Sequence, residues 1–229
     1  MSSKKVAFLC AFSAFAIPVY GVTGAEVAEK ATAAWDETWN SFNDYKVEVH
    51  NVTNDADGKE LSSHVAYEYF KKPDKTAYKI IEYYEEGKKK DLPDGEGESL
   101  EVKWPFESEN LNDYHFAFVD AVKYKGVDCD VIKFTSDKEE KGYIYGKAWV
   151  GNETGRLYVI KCSMYKNPKH VTKASARVYF GDFAGRNMVS KMVMNVDYSA
   201  YLIFSGTLEI TDIYKDYQFD VGLTDAKFK

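Results

Sequence analysis

The sequence predicts a mainly β protein of the α+β class, in which one strongly curved antiparallel sheet packs one face against a single helix. Three observations predict it. Aromatic residues make up 16% of the chain, and flat or branched side chains favour strands. After Asp44 the apolar positions alternate with a period of two along most of the sequence. Short turns containing Gly, Asn or Asp separate these stretches, as between consecutive antiparallel strands.

Length, composition and charge limit the possible functions. A chain of 229 residues with 45% hydrophobic residues can form one domain with a complete core, and it is too apolar for a disordered protein. The formal net charge is −6, whereas binding to phosphates requires a basic face. We therefore expect a monomeric, folded domain that binds no nucleic acid.

The first residues have the layout of a secretory signal peptide. Lys4 and Lys5 precede an uncharged apolar segment at residues 6–17, and small residues follow it. This segment is shorter than the roughly 20 residues that cross a bilayer, and Pro18 comes directly after it. We therefore predict an exported protein without a membrane anchor.

The predicted cleavage site lies after Ala25, and cleavage after Gly21 or Gly24 is the alternative. On this prediction residues 1–25 form the signal peptide and residues 26–229 form the mature domain. Because no repeat or linker divides residues 26–229, we expect a single domain.

The mature chain is predicted to begin with a helix over residues 26–43. Glu26 and Glu29 lie in its first turn, where the helix dipole favours acidic side chains. Two tryptophans on so short a helix must be covered, so we predict that this helix packs into the concave face of the sheet. Its apolar positions recur close to every 3.6 residues and are Val27, Ala31, Ala34, Trp35, Thr38, Trp39 and Phe42.

Three strands with alternating apolar residues are predicted after the helix. A polar segment at residues 87–97 is predicted to be a loop or a weak hairpin, and a short irregular or helical piece is expected around Trp104. The apolar faces of the three strands are formed by Tyr45, Val47 and Val49 in the first, by Val65, Tyr67 and Tyr69 in the second, and by Tyr78 and Ile80 in the third.

The second half of the chain is predicted to consist almost entirely of strands, which brings the total to about 10–11. Gly- and Asn-containing turns separate several of them, so we expect neighbours in sequence to pair as antiparallel strands. The predicted strands cover residues 116–123, 127–135, 143–150, 156–165, 174–183, 189–197 and 200–213.

No pattern of catalytic, metal-binding or cofactor-binding residues was found, so we predict none of these functions. The chain lacks the Gly-rich phosphate loop, the nucleophile elbow and the paired-histidine zinc motif. Cys129 and Cys162 are expected to stay reduced. If the strands form a simple meander, one strand separates them by about 9.6 Å, which exceeds the reach of a disulfide.

Two stretches of the chain resemble the LolA-like periplasmic lipoprotein carriers. In the first, the predicted helix leads into a strand that ends in the basic-basic-proline turn Lys71-Lys72-Pro73. In the second, the pattern G-x-x-C-x-V at residues 126–131 is followed by Trp149-Val150 and by Thr154-Gly155, which resembles the W-V-D-x-x-T-G hairpin of that family. Two departures stand out: Gly151 or Asn152 replaces the usual Asp, and Lys72 replaces a functional Arg that holds the lid closed.

The resemblance implies an unclosed β-barrel with a helical lid and a hydrophobic cavity between them. It also implies a periplasmic carrier of lipoprotein acyl chains or free lipid, supplied by an inner-membrane transporter and released to an outer-membrane acceptor. The alternative is an envelope-stress or regulatory module of the same fold that binds a membrane protein's periplasmic segment. An enzyme is the least favoured interpretation, because no catalytic arrangement is present.

The candidate ligand-binding residues come from the helix and from the alternating strand faces. The apolar pattern leaves two possibilities open for the concave face: side chains alone fill it, or a ligand fills part of it. Flexible methionines on alternating positions of one strand favour a surface that accepts varied apolar ligands. Lys72 is either a lid or headgroup contact or a solvated lysine. The candidates are Trp35, Trp39, Phe42, Val47, Val49, Lys72, Tyr78, Ile80, Tyr158, Ile160, Met164, Met192 and Met194.

Overall fold

A computed structural model describes residues 21–92, 102–200 and 204–228. The helix α1 spans Gly24–Asn40, and short 3-10 helices span Leu111–Asp113 and Asp225–Phe228. The strands are β1 (Asp44–Asp55), β2 (Glu60–Lys71), β3 (Lys75–Glu85), β4 (Lys88–Lys90), β5 (Tyr114–Tyr124), β6 (Val127–Ser136), β7 (Ile144–Gly151), β8 (Leu157–Met164), β9 (Val171–Phe183), β10 (Arg186–Ala200) and β11 (Phe204–Phe219).

The described strands form one open sheet of 11 strands in the order β4-β3-β2-β1-β11-β10-β9-β8-β7-β6-β5. Each neighbouring pair is antiparallel. Two meanders therefore meet where β1 pairs with β11, and β4 and β5 remain as the outer edges. The predicted fold class, an unclosed antiparallel half-barrel with an N-terminal helix in its concave face, is confirmed.

The predicted elements differ from the observed ones mainly at their ends. Helix α1 begins two residues earlier and ends three residues earlier than the predicted range of 26–43. The polar segment predicted as a loop or weak hairpin contributes the short strand β4, which pairs with β3, and its residues 93–97 lie outside the described ranges. The predicted signal peptide also lies outside them, apart from residues 21–25.

A capping box fixes the start of α1. The Thr23 side chain accepts a hydrogen bond from the Glu26 backbone N–H, and the Glu26 carboxylate accepts one from the Thr23 backbone N–H at 2.8 Å. This exchange satisfies two of the donors that a helix N-terminus leaves without an intrahelical partner. Gly24 follows directly and lies against β5, where an added Cβ would come within 2.6 Å of the Ala117 and Phe118 backbone.

Two apolar clusters lie between α1 and the sheet. The first joins Val27, Ala28 and Ala31 of the helix to the concave faces of β6, β7 and β8, with Phe106 completely buried above them. The second lies around the C-terminal end of the helix. It consists of Phe42, Tyr45, Val47, Val49 and Met188, with Trp39 and Phe70 packed against it.

The predicted apolar face of β2 was wrong. Pairing with β1 places Ala66, Glu68 and Phe70 on the same side as Tyr45 and Val49, which face the helix. Val65, Tyr67 and Tyr69 therefore lie on the convex side. Cationic side chains cover two of these rings there, with Lys46 Nζ at 3.6 Å from the Tyr67 ring centre and Lys227 Nζ at 4.1 Å from that of Tyr69. Both faces of β2 carry apolar groups, so alternation alone could not decide which side faces inward.

The two cysteines are free and lie on strands separated by β7. Cys129 on β6 pairs with Gly151, whereas Cys162 on β8 pairs with Gly146. The meander assumed in the sequence argument is therefore present, with β7 between the strands that carry the two thiols.

Candidate functional site

A small cavity lies between the C-terminal half of α1 and the concave face of the sheet. Its volume is about 90 Å³, whereas pockets that bury drug-sized ligands measure about 300–1,000 Å³. As it stands, the cavity is therefore too small for a ligand of that size. The cavity is lined by Trp35, Trp39, Tyr45, Glu68, Phe180, Asn187, Met188, Val189, Tyr214 and Tyr217.

Two tryptophans of α1 form the roof of the cavity. Trp35 and Trp39 lie four residues apart on one helix face, and their ring centres are 5.8 Å apart. Trp39 also contacts Phe42 at 5.5 Å and Phe70 at 5.2 Å, while Trp35 contacts Phe180 at 6.3 Å. These distances are typical of favourable aromatic pairs, so the roof is a rigid apolar surface.

An arginine from the β9–β10 turn holds the end of α1. Arg186 donates from Nε to Ser41 Oγ at 2.9 Å and from Nη2 to the Ser41 carbonyl at 3.0 Å. Its guanidinium also lies 4.3 Å from the centre of the Phe219 ring. We call this arrangement of Arg186, Ser41 and Phe219 the helix latch. Local sequence patterns do not predict the helix latch, because Arg186 and Ser41 are 145 residues apart.

Lys72 lies near the same end of α1 but does not make these contacts. Its Nζ is 5.5 Å from the centre of the Phe42 ring, and its backbone N–H donates to the Asn43 carbonyl at 3.0 Å. The structure therefore places the planar guanidinium that contacts the lid on Arg186 rather than at the position of Lys72.

Polar groups lie among the apolar side chains on the sheet side of the cavity, where Glu68 and three tyrosines line it and Asp212 and Tyr78 lie nearby on the same face. Six residues form what we call the tyrosine–carboxylate cluster: Tyr45, Glu68, Tyr78, Asp212, Tyr214 and Tyr217. The Tyr45 hydroxyl donates to Glu68 Oε1 at 2.6 Å, and the Asn51 amide donates to Asp212 Oδ1 at 2.7 Å. Tyr78 shares a hydrogen bond of 2.8 Å with His64 Nε2.

Burial dominates the electrostatics of this cluster. It raises the pKa of Glu68, and the nearby Asp212 raises it further, while the Tyr45 hydrogen bond acts in the opposite direction. Burial likewise raises the pKa of Asp212. The pKa values of Tyr78 and Tyr214 are also raised, first by burial and then by the charges of Asp212 and Glu68. Burial therefore favours the uncharged form of each of these four groups.

A second cover, residues 102–113, closes the cavity region from the side. Trp104 packs on Trp35 with ring centres 6.3 Å apart, and the Ser108 hydroxyl donates to the Asp36 carboxylate of α1. Within this segment burial raises the pKa of Glu107 to about 7, and the neighbouring Glu109 adds to the effect. The Asn110 side chain donates to Glu107 at 2.7 Å and tightens the turn.

The structure brings most of the predicted ligand-binding residues to the concave side. Trp35 and Trp39 line the cavity, Phe42, Val47 and Val49 form much of the second cluster, and Ile160, Met164 and Met192 belong to or pack on the first. Met194 shares the face of Met192 on β10, and Tyr78 and Ile80 share one face of β3. Tyr158 lies at an irregularity of the β7–β8 pairing and contacts Tyr124.

Within residues 21–92, 102–200 and 204–228, no group of three or more His, Cys, Asp or Glu side chains is arranged to hold a metal ion. In those same ranges no helix combines the length and the apolar character needed to cross a bilayer.

Solved structures share this architecture at low sequence identity. A DUF1329 family protein from Desulfovibrio piger has a TM-score of 0.56 and 14% identity, over 91% of this chain and 98% of that chain. A putative outer membrane lipoprotein-sorting protein domain from Vibrio parahaemolyticus has a TM-score of 0.56 and 16% identity, over 90% and 96%. The protein has a LolA-like fold.

A LolA superfamily protein from Nitrosomonas europaea is also similar, with a TM-score of 0.45 and 16% identity over 91% of this chain and 98% of that chain. The sequence matches no protein-family model and no curated protein. The two structures with a TM-score of 0.56 carry the fold assignment, which agrees with the resemblance noted in the sequence.

Proposed function

We propose that this protein is a periplasmic carrier that binds the acyl chains of a lipoprotein or lipid between α1 and the concave face. The observation that carries the proposal is the cavity itself, which has an aromatic roof of Trp35 and Trp39 and lies within an open, LolA-like half-barrel. The function is binding and transfer without catalysis.

An acyl chain can enter only if the cover moves, because the cavity of about 90 Å³ is far smaller than the roughly 300–1,000 Å³ of pockets that bury drug-sized ligands. The N-terminal half of α1 is packed closely on β5 through Gly24 and is held by a hydrogen bond from Lys30 to the Asn152 carbonyl. The C-terminal half covers the cavity and is held at its end by the helix latch. We therefore expect the C-terminal half to move.

The energy of chain burial suits a carrier. Each methylene removed from water contributes about 0.8 kcal/mol, so ten methylenes contribute roughly 8 kcal/mol before the costs of binding and lid opening. The net affinity would be micromolar at best. Such an affinity permits both loading from an inner-membrane transporter and release to an outer-membrane acceptor, the partners that a carrier of this kind requires.

Native mass spectrometry of protein purified from its own envelope tests the proposal directly, and we expect adducts with the mass of a lipid. A fluorescent acyl-chain probe should bind the wild type and fail to bind Trp39→Asp, because a charge in the roof opposes burial of an apolar chain. Trp149→Asp is the matched control, since Trp149 pairs with Val131 and Val159 on the convex side. Circular dichroism of both variants would test whether they fold.

Two results would count against the carrier. The first is the absence of both co-purified lipid and probe binding when Arg186→Ala is used to loosen the lid. The second is a stable complex with a membrane protein's periplasmic segment that Trp39→Asp leaves intact, which would favour a regulatory binding module of the same fold.

A further inference from the structure

Near the cavity, the concave face carries acidic side chains. On the concave side of the described parts of β1, β2, β3 and β11, the charged side chains near the cavity are Glu68 and Asp212, and every lysine of β1 and β2 points to the convex side. Cationic side chains lie around this region, among them Lys72, whose Nζ is 5.5 Å from the centre of the Phe42 ring. Arg186 is bonded to Ser41, and Lys90, at the outer edge of the sheet, is 4.0 Å from Glu85.

The hydrogen-bond partners of the two carboxylates are neutral. Glu68 accepts from the Tyr45 hydroxyl, and Asp212 accepts from the Asn51 amide. Among the ion pairs of the described residues, neither carboxylate takes part in one. Asp212 is only 7% exposed, and a buried carboxylate without a cationic partner is costly. A ligand that brings a positive charge would compensate both groups.

The walls around Glu68 suit a cation that is attached to an apolar chain. Tyr45, Tyr214 and Tyr217 line the same cavity as Glu68, and aromatic faces attract ammonium groups. The tryptophan roof and Met188 lie alongside and offer apolar contact to a chain. An anionic headgroup would instead bring a third negative charge next to Glu68 and Asp212, which is unfavourable at such short range.

We propose that the ligand of this cavity is an amphiphile with an ammonium headgroup, which lies at the tyrosine–carboxylate cluster while its aliphatic chain lies beneath Trp35 and Trp39. This inference rests on the proposed carrier function and narrows its ligand class. The charge selectivity comes from Glu68 and Asp212, and the affinity for the chain comes from the aromatic and methionine side chains.

Displacement of an apolar fluorescent probe by three dodecyl amphiphiles tests the inference. Dodecylammonium, dodecyl maltoside and dodecanoate share one chain and differ in headgroup charge, and all are used below their micelle concentrations at neutral pH. We expect dodecylammonium to bind at least about tenfold more tightly than dodecanoate, since a charge-assisted contact is replaced by repulsion. Glu68→Gln and, separately, Asp212→Asn should each narrow this ratio several-fold.

Glu48→Gln is the matched control, because Glu48 lies on β1 beside the same strands but pairs with Lys215 and Tyr67 on the convex side. It removes the same charge and should leave the ratio unchanged. The inference is overturned if dodecanoate binds as tightly as dodecylammonium or more tightly, or if neither Glu68→Gln nor Asp212→Asn changes the ratio of the two affinities. In either case, binding of dodecyl maltoside would still support the carrier function. If none of the three amphiphiles binds, the carrier function fails as well.

Discussion

Removal of the helix latch should loosen the C-terminal half of α1 without unfolding the domain. In Arg186→Ala the two hydrogen bonds to Ser41, at 2.9 and 3.0 Å, are lost together with the contact to Phe219. Each hydrogen bond at this partly exposed site contributes about 0.5–1 kcal/mol. The equilibrium for opening the lid should therefore shift by about 1–2 kcal/mol, which corresponds to about 5–30-fold.

Hydrogen–deuterium exchange measures this shift at the amides that the latch protects. The Ser41 N–H donates to the Thr38 carbonyl at 3.1 Å, so peptides that span the end of α1 should exchange faster by the same factor. An apolar fluorescent probe should also enter the cavity faster. Arg186→Lys keeps the charge but lacks the planar fork, so we expect an intermediate effect.

Arg156→Ala provides the control for this experiment. Arg156 also uses its guanidinium near the β9–β10 turn, where it donates to Asp182 at 2.7 Å and to the Gly185 carbonyl at 2.6 Å. These contacts join two turns and do not involve α1. If exchange at the end of α1 is the same in the wild type and in Arg186→Ala, or rises equally in Arg156→Ala, the latch does not hold the lid.

Three further predictions follow from the geometry. Burial raises the pKa of Glu107 to about 7 from an ordinary 4.5, so the contribution of Glu107 to folding stability is complete below about pH 4.5 and is lost as the pH rises through 7. In urea unfolding, the free energy of unfolding should fall by about 1–3 kcal/mol between about pH 5 and pH 8.5, and this fall should be absent in Glu107→Gln. Identical pH profiles of the two proteins would contradict this. Gly24→Ala should reduce the free energy of unfolding by about 1–3 kcal/mol in a denaturation assay, since its Cβ would lie 2.6 Å from the β5 backbone. An unchanged free energy of unfolding would contradict this close packing. Finally, the intact mass of the mature protein should correspond to a first residue at Val22 rather than Glu26. Cleavage after Ala25 would remove Thr23 and Gly24, and the loss of the helix cap would cost about 1 kcal/mol. A mature chain that begins at Glu26 would refute this prediction.

The sequence predicts those parts of the fold that depend on neighbouring residues. The 3.6-residue period located α1 and its tryptophans, and the alternation located the strands to within a few residues. The start of α1 could have been placed better, since Thr23 and Glu26 have the spacing of a capping box. Which side of β2 faces inward could not be predicted, because Tyr67 and Tyr69 are apolar and yet pack beneath lysines on the convex side.

The polar part of the site depends on pairings between distant parts of the chain. Asn51 and Asp212 are 161 residues apart, and Tyr45 meets Glu68 only because β1 and β2 pair in one register. Without knowledge of that register, a single carboxylate in a strand is predicted to face the solvent. The methionines and tryptophans could be assigned to the concave face from local pattern, whereas Glu68, Asp212 and Arg186 could not.

The pairing of β1 with β11 has a consequence for how the domain matures. These strands come from opposite ends of the described chain, so the binding surface has a high contact order and forms only after most of the polypeptide is available. During synthesis the N-terminal hairpins emerge first, with the β1 edge unpaired and open to intermolecular strand addition. We therefore expect the nascent chain to depend on chaperones until β11 is available.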